Sequence, residues 1–122
     1  MEELALVADD DPQVLAITAR WLMTAGYNVV TASDFADARA QIRLREPGIV
    51  IADVRLGEFN GIQLGLLARE IRPDVRVVII SGFDDTVLRR DARDIGAAFL
   101  QKPLRAAALL VAVEEESAPL PS

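Results

Sequence analysis

Five short, apolar, largely β-branched runs recur along this chain, and a longer stretch with helical spacing follows each of them. The runs are Leu4–Ala8, Tyr27–Thr31, Ile49–Ala52, Val75–Ile80 and Ala97–Leu100. Segments of that length and composition read as strands. The longer stretches are Pro12–Ala25, Asp34–Arg45, Gly61–Arg72, Asp84–Ile95 and Leu104–Glu116. Such alternation leaves few folds open, because a strand, a crossover helix and a second strand close right-handedly into parallel pairs. Ile49-Val50-Ile51-Ala52 and Val77-Val78-Ile79-Ile80 are apolar at every position. Strands of that kind belong in the middle of a parallel sheet, covered on both faces. The spacing therefore predicts an α/β protein with five parallel strands and helices on both sides.

Punctuation agrees with this reading. Asp11-Pro12 is an N-cap followed by proline at the first helical position. Gly26 stands where a helix-terminating glycine belongs, and Ser33 is placed to cap the second helix. With 122 residues, of which 52% are hydrophobic and 26% charged, the chain has the mass of one domain and is not of disordered composition. Residues 1–116 are expected to form that domain, and residues 117–122 a frayed tail.

Composition excludes several kinds of chemistry. The chain has 13 Lys and Arg against 19 Asp and Glu, a formal charge of −6, so no direct contact with nucleic acid is expected. It has no Cys and no His, which removes thiolate nucleophiles, disulfides, the commonest general base and phosphohistidine. The acidic start Met1-Glu2-Glu3 lacks a basic signal region. The longest apolar run, Ala106 to Val113, falls well short of the roughly 20 residues that span a bilayer. A cytoplasmic protein is expected.

An open parallel sheet binds ligands beyond the carboxyl ends of its strands. Those ends carry Asp9-Asp10-Asp11, Asp53, Ser81-Gly82 and Gln101-Lys102-Pro103. They are far apart in sequence, and the topology brings them to one edge. Several carboxylates at close range raise one another's pKa unless a counter-charge is present. An oxygen-liganded divalent cation supplies it, and Mg2+ favours a few carboxylates, several waters and a phosphate. A carboxylate, Mg2+, a lysine and a small hydroxyl together make a phosphoryl cradle.

These motifs resemble the receiver domain of two-component response regulators. Leu6-Val7-Ala8-Asp9-Asp10-Asp11-Pro12, Ile51-Ala52-Asp53-Val54-Arg55-Leu56 with Asn60-Gly61, Ile79-Ile80-Ser81-Gly82 and Phe99-Leu100-Gln101-Lys102-Pro103 carry the likeness, over residues 3 to 115. The resemblance implies a flavodoxin-like (βα)5 fold with strand order 2-1-3-4-5. It implies Asp53 as phospho-acceptor, and Mg2+ held by Asp10, Asp53 and the Arg55 backbone carbonyl, with Asp9 acting through water. Ser81 and Lys102 would bind phosphoryl oxygens, the Lys102-Pro103 peptide would be cis, and Phe99 would occupy the aromatic switch position. The phosphoryl donor would be a sensor histidine kinase or a histidine phosphotransfer protein. The chain would be a switch, limited to self-phosphorylation from a donor and slow autodephosphorylation, rather than a conventional enzyme.

Other residues are this chain's own. Gly57 stands where the family often has proline, which predicts a looser loop after Asp53. Arg55 and Phe83 each lie two residues beyond a site residue and are expected to shield the acyl phosphate and tune its lifetime. The first helix is expected to bury Val14, Ile17, Thr18 and Trp21 and to turn Leu15 outward, as a kinase docking point. The last helix is apolar all round, which predicts a homodimer or effector contact through the fourth helix, fifth strand and fifth helix. Two other readings compete: a receiver-fold interaction module that works without phosphorylation, and a Mg2+ phosphatase with an aspartyl-phosphate intermediate.

Overall fold

A computed structural model describes residues 3–114. The expected tail therefore lies outside the described residues. Five strands form one parallel sheet: β1 (Leu4–Ala8), β2 (Asn28–Ala32), β3 (Ile49–Asp53), β6 (Arg76–Ser81) and β7 (Ala98–Gln101). Their spatial order is β2-β1-β3-β6-β7. That is the anticipated 2-1-3-4-5 arrangement once a small ribbon, β4 (Arg55–Leu56) with β5 (Phe59–Asn60), is set aside. The helices are α1 (Pro12–Thr24), α2 (Phe35–Arg45), α3 (Gly61–Ile71), α4 (Thr86–Asp94) and α5 (Ala106–Glu114).

Strand alternation sorts the core into two layers. Leu6, Ala8, Val50, Ala52, Val77 and Ile79 point to one face, where Ile42 of α2, Leu64 of α3 and Ala92 of α4 cover them. Ala5, Val7, Ile49, Ile51, Val78 and Ile80 point to the other, under Leu15 and Leu22 of α1 and Leu109 of α5. Every residue of β3 is buried, as its unbroken apolar run requires. Asp11 caps α1, its carboxylate accepting from the N–H groups of Gln13 and Val14. At α2 the cap is Asp34 rather than Ser33, the Asp34 carboxylate accepting from the Asp37 N–H at 2.8 Å. A carboxylate at that position also faces the positive end of the helix dipole.

The first helix turns a different stripe inward from the one the sequence suggested. Leu15, Thr18, Ala19 and Leu22 are buried, whereas Ile17 is 47% exposed. The spacing 15, 18, 19, 22 is as regular as 14, 17, 18, 21, so periodicity alone does not choose between them. Leu15 thus belongs to the core and offers no docking surface. The outer stripe, Val14, Ile17 and Trp21, lines a groove with Lys102, Pro103 and Leu104.

The ribbon was also unforeseen. Gly57, at φ 63°, turns β4 back on β5. Phe59 at its end stacks on Phe35 of α2, with ring centroids 4.6 Å apart. The loop after Asp53 is therefore a hairpin pinned to α2. The glycine at the turn is the one local signal for it, because only glycine takes a positive φ without strain.

The corrected stripe makes a stability prediction. Leu15→Ala should cost about 2–3 kcal/mol, the low end for a buried large-to-small change. Ile17→Ala should stay within about 0.5 kcal/mol, as surface changes do. Urea unfolding of both variants checks it, and equal losses would contradict the burial pattern.

Candidate functional site

The carboxyl ends of β1, β3, β6 and β7 bring the chemically active side chains together. Asp9 follows β1 and is almost wholly buried, whereas Asp10 is exposed. Asp53 is the last residue of β3, and its side chain is 8% exposed. Carboxylate oxygens of Asp9, Asp10 and Asp53 all lie within 4.8 Å of one another. Lys102, just past β7, reaches the same cluster. Its Nζ donates to Asp53 Oδ2 at 2.6 Å and stands 3.3 Å from Asp9 Oδ2. The second contact is an ion pair without hydrogen-bond geometry, so buried Asp9 Oδ2 is left with no hydrogen-bond partner.

Local structure holds these groups in place. Asp9 Oδ1 accepts from the Asp11 N–H, and Asp53 Oδ1 accepts from the Arg55 N–H, both at 2.9 Å. Each carboxylate therefore uses one oxygen to fix its own loop and leaves the other facing the cluster. Gly61 approaches the Asp53 carbonyl so closely that a Cβ there would collide with it. The Lys102 N–H donates to the Ser81 carbonyl at 2.8 Å, and the Lys102-Pro103 peptide is cis as expected. Ser81 is fully buried, and its Oγ accepts from the Phe83 N–H at 3.0 Å.

Electrostatics follow from this crowding. Burial pushes the Asp9 carboxyl above the ordinary carboxylate range. The Asp53 charge adds to that rise, while the Asp11 N–H and Lys102 work against it. Burial also disfavours charge on Lys102, but its hydrogen bond and attraction to Asp53, helped by Asp9, outweigh it. The Lys102 pKa therefore stands above the usual lysine value. One cation faces three carboxylates, and one buried oxygen has no hydrogen-bond partner. A divalent cation with oxygen ligands fits both facts.

Two further residues, each two positions beyond a site residue, meet each other. The Arg55 guanidinium lies on the Phe83 ring, 4.6 Å from its centroid. Phe83 is 55% exposed, so the pair is a surface contact rather than core. Phe99 is half-buried, packed against the α2–α4 side of the core. A residue that the sequence reading missed sits on it: the Arg89 guanidinium is 4.6 Å from the Phe99 centroid. Arg89 shares α4 with Arg90 and Arg93, and only the tertiary structure distinguishes it from them.

The fold and the site agree with what is known of other proteins. The family model for the response regulator receiver domain matches residues 5–114. The chain belongs to that family. The photosynthetic apparatus regulatory protein RegA of Cereibacter sphaeroides is 33% identical over 99 residues, 80% of this chain and 54% of that protein. The chain spans 27% and 25% of the length of two other curated relatives. A CheY-like receiver domain protein from Methanospirillum hungatei superposes with a TM-score of 0.86 at 24% identity, covering 93% of this chain and 92% of that one. A response regulator from Burkholderia pseudomallei, described with a phosphorylated aspartic acid and a calcium ion, has a TM-score of 0.85 at 26% identity. That likeness covers 92% of this chain and 66% of that chain.

Receiver domains are phospho-accepting switches served by histidine kinases, and they bind Mg2+ at an acidic cluster. The cluster of Asp9, Asp10 and Asp53 fits such a receiver site. Among the described residues, no helix is long and apolar enough to cross a membrane.

The receiver cluster predicts a trade between stability and metal binding. A carboxyl whose pKa is raised by folding stabilises the fold only while protonated, and that contribution is lost as pH rises through the raised value. The Asp9 charge, wherever it is carried in the fold, is therefore a cost. Asp9→Asn should raise Tm in metal-free buffer at pH 7 and nearly abolish the Tm increase that Mg2+ gives the wild type. Thermal unfolding with and without Mg2+ reads both effects, and a variant with an undiminished Mg2+ response would contradict the assignment.

Proposed function

We propose that Asp53 is the phospho-acceptor of this receiver domain, taking its phosphoryl group from a partner's phosphohistidine. The observation that carries this reading is the position of the Asp53 carboxylate. It lies at the end of a central strand, bonded to Lys102 Nζ at 2.6 Å and clustered with Asp9 and Asp10. Mg2+ would be held by Asp10, Asp53 and the Arg55 backbone carbonyl, with Asp9 acting through water. Bound there, it neutralises charge on the transferred group and on the cluster. Lys102 pairs with one phosphoryl oxygen and the Ser81 hydroxyl with another, so that negative charge is met from two sides. Arg55 and Phe83 form a lid whose cation–π contact hinders water on the acyl phosphate. The chain is then a switch, with transfer to itself and slow hydrolysis as its only chemistry.

Incubation with Mg2+ and a small phosphodonor tests the reading. The wild type should acquire one acid-stable, alkali-labile label, and Asp53→Asn none. Absence of label on the wild type would favour the unphosphorylated interaction module, and rapid turnover of the donor would favour the phosphatase. In a chase, Arg55→Ala and Phe83→Ala should lose the label several-fold faster than wild type, and unchanged lifetimes would dismiss the lid.

Two surfaces suit partners. The histidine kinase or phosphotransfer protein docks on the groove of Val14, Ile17 and Trp21, which lies beside Lys102 and so beside the acceptor. Between β7 and α5, Ala98 and Leu100 with Ala107, Ala108 and Val111 line a groove of about 480 Å3. Val111 is 58% exposed there, which favours the homodimer or effector contact through α4, β7 and α5. Ile17→Asp should slow transfer from a kinase that phosphorylates the wild type while leaving labelling by the small donor unchanged. Val111→Asp should remove any concentration-dependent mass increase in sedimentation, and a wild type that stays monomeric with and without label would exclude the homodimer.

A further inference from the structure

Arg89 makes two contacts at once. Its Nε donates to Asp84 Oδ1 at 2.6 Å, and its guanidinium covers the Phe99 ring at 4.6 Å. Asp84 belongs to the segment between β6 and α4, Arg89 to α4 and Phe99 to β7. Three separate parts of the fold therefore meet at one side chain. Both Asp84 and Arg89 are substantially exposed, 62% and 46% at their side chains, so the ion pair is weak and readily broken.

The two ends of α4 are attached differently. Ala92 and Ile95 are buried near its C-terminus. Arg69 of α3, also buried, donates to the Gly96 carbonyl at 2.9 Å and to the Pro73 carbonyl at 3.1 Å. Toward the N-terminus, Val87 is 54% exposed, and Leu88 packs only at the margin of the core. There Arg89 is the bridge to the neighbouring strand.

We infer that Asp84, Arg89 and Phe99 form a latch that holds the Phe99 ring and the first turns of α4 in the unphosphorylated arrangement. The inference rests on Asp53 being the acceptor. Ser81 Oγ is engaged with the N–H of Phe83 in its own loop. A phosphoryl group on Asp53 offers that hydroxyl a charged acceptor, which binds it more strongly than a neutral partner. Drawing Ser81 toward it displaces the segment that carries Asp84. Arg89 then loses the anion that orients it, and the ring is released. A contact that stabilises one state must weaken any ligand preferring the other. Arg89 therefore opposes phosphoryl binding from a distance, as a positioning residue that touches none of the reacting atoms.

Titration of the full chain with beryllofluoride, a phosphoryl analogue, in the presence of Mg2+ tests the latch, with the Phe99 ring followed by NMR. Arg89→Ala should bind the analogue about two- to fivefold more tightly than wild type, the equivalent of one exposed cation–π contact. Its Phe99 ring signals, without analogue, should already be displaced toward those of the loaded wild type. Asp84→Asn should do the same more weakly, and Arg90→Ala, on the same helix, should do neither. A merely structural role would lower stability without moving affinity or ring signals. Arg89→Ala matching Arg90→Ala in both readouts would overturn the latch. If the wild type itself does not bind the analogue, the acceptor reading fails, and the ring signals of metal-free Arg89→Ala alone decide whether the ring is pinned.

Discussion

The gathering of Asp9, Asp10 and Asp53 against one lysine sets the terms for the whole carboxyl edge of the sheet. Like charges so close together repel, and the parallel strands hold them there regardless. The backbone meets part of the cost locally, since the N–H groups of Asp11 and Arg55 each bond one carboxylate oxygen. Lys102 meets another part and is itself fixed by its backbone bond to Ser81. What remains is a crowded acidic cluster that suits a divalent cation. The core beneath is correspondingly generous, with β3 buried along its full length and apolar layers on both faces.

Above that edge, weaker contacts govern how the site communicates. Arg55 on Phe83 and Arg89 on Phe99 are both cation–π pairs at 4.6 Å, and both involve exposed arginines. Such contacts are worth about as much as thermal energy or slightly more. Interactions of that size are suited to states that must interchange, whereas the buried clamp of Arg69 on the α4 C-terminus suits a fixed pivot. The result is a rigid sheet carrying one helix whose two ends are held with different strength.

Much of this was legible in the sequence because parallel α/β topology is written in local signals. The alternation of β-branched runs with helical stretches specifies crossovers, and crossovers specify which strand ends meet. That is why Asp9, Asp10, Asp53, Ser81 and Lys102 could be assembled from residues up to 93 positions apart in number. The place of Leu15 is not legible because α1 has two apolar stripes of equal regularity, and only packing against β1 and its neighbours chooses between them. The ribbon at Gly57 is not legible because each of its strands has only two residues, below the length at which alternation is visible. Arg89 gave no signal, since it is one of three arginines on a short exposed helix.

The sequence by itself determined the fold class, the alternation of the five main strands with five helices and the identity of the clustered acids, because these depend on periodicity and on chain connectivity. Tertiary structure alone decided which face of α1 is buried, that Phe59 stacks on Phe35, and that Arg55 and Arg89 each settle on a phenylalanine. The physical reason is one of range. A strand or helix follows from neighbours within a few residues, but a side chain's partner follows from what the folded chain happens to bring within about 5 Å, the reach of ring and guanidinium contacts.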